Sequence, residues 1–198
     1  MIAVVIVIWV VNLFLSIWNA YATGKVWVEA KHAGGGRLFM AWMGYLMASL
    51  GFSWDILLLA ALVLRSTGVM THAQGELFID TGYVLVVPGF LFSGYAIMFQ
   101  SWATAYRNHS VPNMAAAAYN TFANVHNTYN AIDSFPKASA SVFKAFAGGG
   151  GKDKAKVNAL IIFVAILAVA AGFIIAALIV HRVAASDTEV PARAVAAA

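Results

Sequence analysis

The chain has 198 residues, of which 62% are hydrophobic and 10% are charged, and its formal net charge is +4. Soluble domains carry about 25% charged residues, so this composition indicates an integral membrane protein whose apolar surface is partly covered by lipid. The absence of cysteine excludes disulfides, thiol catalysis and cysteine-ligated zinc or iron–sulfur sites.

Four apolar segments approach or exceed the roughly 20 residues that a helix needs to cross a bilayer. None alternates between polar and apolar residues as a barrel strand does, and a backbone in lipid must satisfy its own hydrogen bonds. The segments are residues 2–21, 38–64, 82–103 and 157–180. The sequence therefore predicts an all-α membrane protein built as a bundle of four transmembrane helices.

The third apolar segment carries two local signals. Asp80 and Thr81 precede it and are predicted to cap its N-terminus. Pro88 lies inside it and is predicted to kink the helix, because proline removes a backbone hydrogen bond.

An amphipathic segment separates the third and fourth apolar segments. Its apolar residues recur every three or four positions, which predicts a helix with one apolar face, and Pro136 is expected to end or kink that helix. We expect a cytoplasmic helix whose apolar face is shielded against the bundle or the membrane interface; the alternative is a docking surface for a partner. This face consists of Met114, Phe122, Val125, Tyr129 and Ile132, with Ala118 between the first two.

The distribution of lysine and arginine predicts an orientation. Nine of the twelve fall in the loop after the first helix or in the segment 107–156. By the positive-inside rule both regions are cytoplasmic, and both termini are non-cytoplasmic. The alternative is a cleaved signal peptide ending at Ala22, which is disfavoured because no Lys or Arg precedes its apolar run.

These assignments divide the chain into four parts. Residues 1–106 form three transmembrane helices with short loops, and 107–156 form the cytoplasmic helix with a glycine hinge at 148–151. Residues 157–183 form the fourth transmembrane helix, and 184–198 a disordered tail.

Small and polar residues mark one face of each predicted transmembrane helix, which is typical of closely packed membrane helices. On the second helix this face includes Asp55, which we expect to accept a hydrogen bond from Asn12 or, as second choice, Ser93. The predicted packing positions are Ala41, Gly44, Ala48, Gly51, Gly89 and Gly172. The predicted intramembrane polar contacts are Asp55, Asn12, Ser16, Asn19, Ser93 and Gln100.

The sequence contains no catalytic constellation and no metal- or phosphate-binding motif, so we expect neither an enzyme nor a cofactor or metal. It favours a structural or assembly subunit of a larger complex in the cell membrane. The expected partners are membrane lipid and other proteins or copies of the chain, not nucleic acid. The alternative is a small transporter or channel that uses Asp55, since carboxylates inside membranes usually serve a function.

Overall fold

A computed structural model describes residues 2–32, 35–147 and 152–196, and nearly all of them lie in five α-helices. Four of these, α1, α2, α3 and α5, are long and apolar enough to cross a membrane. The all-α class and the four candidate spans are therefore confirmed, although each helix is longer than its apolar segment. The five helices are α1 (Ile2–His32), α2 (Gly35–Ser66), α3 (His72–Arg107), α4 (Val111–Phe146) and α5 (Lys152–Ala196).

The start of α3 differs from the prediction. Thr71 is the N-cap, its side chain accepts from the backbone of Gln74, and the Gln74 side chain accepts from the Thr71 backbone. This capping box satisfies two backbone donors that the first turn leaves without partners. Asp80 and Thr81 lie more than two turns inside the helix, where the Thr81 hydroxyl donates to the carbonyl of Leu77.

Pro88 lies inside α3 and Pro136 lies inside α4, and both helices continue past these prolines. The amphipathic helix therefore does not end at Pro136, and a kink there, the other predicted outcome, stays a prediction. Ala131 and Ala138 are buried on either side of Pro136, so packing holds α4 together across the missing hydrogen bond. The predicted glycine hinge at 148–151 lies outside the described residues.

The central helix of the bundle is α2, which contacts α1, α3 and α5. One apolar cluster joins α2, α3 and α5 around Leu57 and Phe78. A second joins α1, α2 and α5 around Phe52.

The direction of α5 differs from the direction that the predicted topology assumes. Gly24 of α1 lies against Val183, and Ala20 packs with Ala176 and Val180, so α1 and α5 run parallel. The start of α1 and the end of α5 therefore lie at opposite ends of the bundle, whereas the predicted topology has both termini on one side of the membrane. The reason is α4, which carries the chain back along α3 before α5 begins.

This path also redistributes the basic residues. Six of the twelve Lys and Arg belong to the end of the bundle where α1 and α3 finish, five to the opposite end, and Lys137 lies between. The predicted excess of nine Lys and Arg against three requires that residues 107–156 stay on one side of the membrane. This chain path does not keep them together, so the excess is absent from it.

Candidate functional site

Asp55 is buried in the middle of α2, where its side chain is held by two donors from α1. Only 4% of the residue is exposed. Asn12 Nδ2 lies 2.8 Å from Oδ1, and Ser16 Oγ lies 3.2 Å from Oδ2. The structure thus brings together the pair expected from sequence, Asp55 and Asn12, and adds Ser16.

Glycines on α2 make this close approach possible. A Cβ on Gly51 would collide with Ser16 Oγ, and one on Gly44 would press on Thr23. Because α1 comes so near, Asn12 Nδ2 also reaches the carbonyl of Gly51 at 3.3 Å. The carboxylate is therefore sealed between two helices at a small-residue contact.

Trp9 is a member of this cluster that the sequence did not reveal. Its indole Nε1 donates to the backbone carbonyl of Asp55 at 3.0 Å. The spacing Trp9–Asn12–Ser16, three and four residues, was the available signal, since it places the indole on the same face as the two polar residues.

The remaining predicted polar contacts do not join this cluster. The Ser93 hydroxyl donates within its own helix, to Gly89, and lies 3.9 Å from Met47 Sδ, so Ser93 does not reach Asp55. Asn19 lines a surface groove and Gln100 is exposed, and neither side chain hydrogen-bonds another described residue.

Polar side chains also join α2 to α5. Ser53 Oγ lies 2.8 Å from the carbonyl of Val169, and the Tyr45 hydroxyl donates to the carbonyl of Phe173 at 3.1 Å. Gly172 lies directly against the backbone and side chain of Ser53. The predicted packing positions Ala41, Ala48, Gly51 and Gly172 are all buried, whereas these polar bonds were not predicted.

The amphipathic helix α4 contacts α3 with the face opposite to the one predicted. The inner face is amide-rich: Asn124 Nδ2 donates to the carbonyl of Gly94 at 3.1 Å, and Asn120 Nδ2 to Ser101 Oγ at 2.6 Å. Two further bonds, each 2.8 Å, join Tyr95 to Thr128 and Trp102 to Thr121. The sequence signal was a strict seven-residue repeat of buried residues: Ala117, Asn124, Ala131 and Ala138.

The predicted shielding of the apolar face of α4 within the bundle is therefore wrong. Phe122 is 71% exposed and Tyr129 is 74% exposed. Hydrogen bonding decides the orientation, because four amide and hydroxyl groups find partners on α3 that an apolar face cannot supply. Helix α4 thus lies beside the apolar part of α3, whereas a cytoplasmic segment would lie beyond the end of α3.

A polar stripe runs along the outside of α4 next to its apolar face. We call His126, Asn130, Asp133 and Lys137 the outer stripe. The Asp133 and Lys137 side chains are 69% and 73% exposed and pair with each other at 2.8 Å. Helices α3 and α4 are antiparallel, since Ser101 bonds Asn120 and Tyr95 bonds Thr128. Counting along both helices from these bonds, Asp133 lies at the same height as Pro88, close to the middle of α3.

A groove of about 280 Å³ lies between α4 and the other helices. Its polar lining comes from Asn12 on α1, Tyr83 on α3, and Asn127 and Asn130 on α4. Asp55 lies behind Asn12 and is not part of the lining. The groove therefore offers amide and hydroxyl groups but no charge to an occupant.

The described residues contain no cluster of three or more His, Asp or Glu side chains that would hold a metal ion. Every buried side-chain nitrogen or oxygen among them has a hydrogen-bond partner. The chemistry of the site is accordingly hydrogen bonding. The chain has no detectable similarity to a known protein family, to a curated protein or to a solved structure.

Proposed function

We propose that this chain is a non-enzymatic, multi-pass membrane protein that acts as a structural or assembly subunit of a larger complex in the cell membrane. The observation that carries this proposal is the outer surface of α4. It exposes the Asp133–Lys137 ion pair beside the middle of α3, a helix apolar enough to cross the membrane.

Lipid is a poor covering for that surface. A charged residue at the centre of a membrane helix costs about 2.5–3.5 kcal/mol on insertion scales, and long side chains escape this cost by reaching the interface. The side chain of Asp133 is short and lies far from either end of α3. A protein partner relieves this cost by supplying polar groups, and the adjoining apolar residues supply packing area to the same contact.

The Asp55 cluster supports a structural role for the buried polar residues of the bundle. Its carboxylate has two donors from α1, and the glycine contact that holds it leaves no opening beside Ser16. Such a polar pair sets the register of two helices, which a rigid subunit needs. Basic residues are shared between both ends of the bundle, an arrangement that does not form the concentrated patch typical of nucleic-acid binding.

Photo-crosslinking from α4 tests this proposal. A photoreactive residue at Tyr129 of the full-length, tagged chain should give a discrete protein adduct in native membranes. The same residue at Leu178, exposed on the apolar helix α5, is the matched control and should give lipid adducts. Lipid adducts alone at both positions, with a monomeric chain after mild detergent extraction, would rule out the assembly role.

The groove favours a second candidate, a small transporter or channel. Its amides approach Asn12, the residue that binds Asp55, so a short rearrangement of Asn12 would open the carboxylate to the groove. Proteoliposome flux distinguishes the two functions. If Asp55→Asn leaves folding intact but abolishes a proton- or cation-dependent flux, transport is correct.

A further inference from the structure

The exposed surface of α4 fits a second copy of the same chain. We propose that two copies pair through α4 in opposite orientations across the membrane, about a two-fold axis that lies in the membrane plane. This inference rests on the proposed assembly function, because it names the partner that covers α4.

The apolar residues on the outside of α4 have the spacing of a helix–helix seam. Phe122, Val125, Tyr129 and Ile132 are three, four and three residues apart, and Phe143 continues the same face. This period of 3.5 residues is that of coiled-coil seams, in which each side chain packs between those of another helix. Since α3 already occupies the opposite face of α4, this seam is open to a helix from another molecule.

The outer stripe determines how the second helix is oriented. It flanks the seam on one side, whereas Thr128 and Phe135 flank the other side, toward α3. Antiparallel pairing brings the same flank of both helices together, so each polar stripe covers the other. Parallel pairing would set each stripe against the Thr128 and Phe135 flank of its neighbour.

The two copies share one membrane midplane, and this determines which residues of their α4 helices face each other. Counting from the Asn120–Ser101 and Asn124–Gly94 bonds, the middle of α3 lies level with the stretch between Tyr129 and Ile132, so the two-fold axis passes there. With Tyr129 facing Ile132 of the second copy, Asp133 faces Thr128 of that copy, and His126 and Asn130 lie two residues to either side, about 3 Å along the helix axis. The acid then meets an imidazole and an amide, and no two like charges are opposed.

The distribution of basic residues along this chain path also supports opposite insertion. Six Lys and Arg lie toward one end of the bundle and five toward the other. Because orientation follows the difference in basic residues between the two sides, this chain has almost no preference and enters the membrane both ways. Copies of both orientations are what the antiparallel pair requires.

Disulfide mapping tests the pair directly, since the chain has no cysteine of its own. Ala118 and Phe143 lie on the seam at equal distances from the axis, 25 residues apart. Co-expressed Ala118→Cys and Phe143→Cys chains with different tags should form a mixed disulfide at twice the 21.1 kDa of one chain. Each variant alone should form none, and neither should Leu178→Cys, the matched control on α5.

The other outcomes separate this inference from the proposed function. Disulfides within each single variant would show a parallel pair and overturn the antiparallel arrangement. Absence of any α4 disulfide, together with a photo-adduct from Tyr129 to a different protein, would overturn the second copy while leaving the assembly function standing. Absence of both products from a monomeric chain would overturn both.

Discussion

At the scale of single residues, the Asp55 cluster joins α1 to α2. Its carboxylate oxygens each accept one bond, from Asn12 and from Ser16, and the Asp55 backbone carbonyl accepts one from Trp9. A polar bond inside a membrane protein contributes about 0.6 kcal/mol on average and rarely more than about 2. The cluster therefore sets helix register more than it sets overall stability.

Substitution of Asp55 should separate hydrogen bonding from charge. Asp55→Asn keeps an acceptor for Asn12, and we expect its free energy of unfolding in detergent to stay within about 0.5 kcal/mol of the parent. Asp55→Leu removes both acceptor oxygens, so Asn12 and Ser16 keep only backbone carbonyls as acceptors, and it should lower that free energy by about 1–2 kcal/mol. Thermal unfolding in one detergent measures both, and equal stability of the two variants would contradict a bonding role.

At the scale of helices, the contact between α2 and α5 depends on the absence of a side chain. A Cβ at Gly172 would overlap the backbone nitrogen of Ser53, and rotation of a side chain cannot relieve a clash with backbone. The Ser53 bond to Val169 depends on the same close approach.

Gly172→Ala should therefore push α5 away from α2. We expect it to cost about 1–3 kcal/mol, as overpacking of a tight contact does. Gly36→Ala is the matched control, because a Cβ there meets nothing within 4 Å. Chemical denaturation of the two variants in the same detergent checks this, and an unchanged Gly172→Ala protein would show that the helices are not in close contact.

The contact between α3 and α4 depends on a buried amide side chain that packs against a glycine. Asn124 is buried, its amide donates to Gly94, and a Cβ at Gly94 would overlap that amide. The seven-residue repeat of small or amide residues keeps this face against α3 along the length of α4.

Asn124→Leu should loosen α4 without unfolding the other helices. It removes the bond to Gly94 and adds branched carbon beside it, at a cost on the order of 1–3 kcal/mol. Backbone amide exchange in α4 should speed up while exchange in α2 stays unchanged. Ala115→Leu, on the exposed side of α4, is the control, and similar exchange in both variants would argue against the amide face as the contact.

At the scale of the whole molecule, the five helices run alternately up and down. Thr71 and Ala147 consequently lie at one end of the bundle, and Asn108 and Ser186 at the other. The prediction from basic residues placed Thr71 and Ala147 on opposite sides.

Labelling of single cysteines from outside intact cells should reflect this arrangement. Thr71→Cys and Ala147→Cys should label in the same fraction of molecules. Asn108→Cys and Ser186→Cys should label in the remaining fraction, because they lie at the other end of the bundle. Insertion in both orientations predicts about half labelling at all four positions, since the basic residues give little preference. Full labelling at Thr71 with none at Ala147 would instead restore the four-span topology.

Much of this molecule was determined by local sequence. Apolar length predicted the four candidate spans, and small-residue spacing predicted the buried face of α2 and its approach to α1, including the bond between Asp55 and Asn12. These features follow from helical periodicity, which places residues three and four apart on one face whatever the helix packs against.

The tertiary structure alone decided where α4 lies. Its periodicity revealed two faces, and the expectation for a cytoplasmic helix was that the apolar face would be shielded against the bundle or the membrane interface. Instead Asn120, Asn124 and Thr128 find hydrogen-bond partners on α3. Those partners are distant in sequence, and periodicity carries no information about which distant surface offers them. Once α4 returns along α3, the direction of α5, the end of the bundle where the chain finishes and the balance of basic residues all follow.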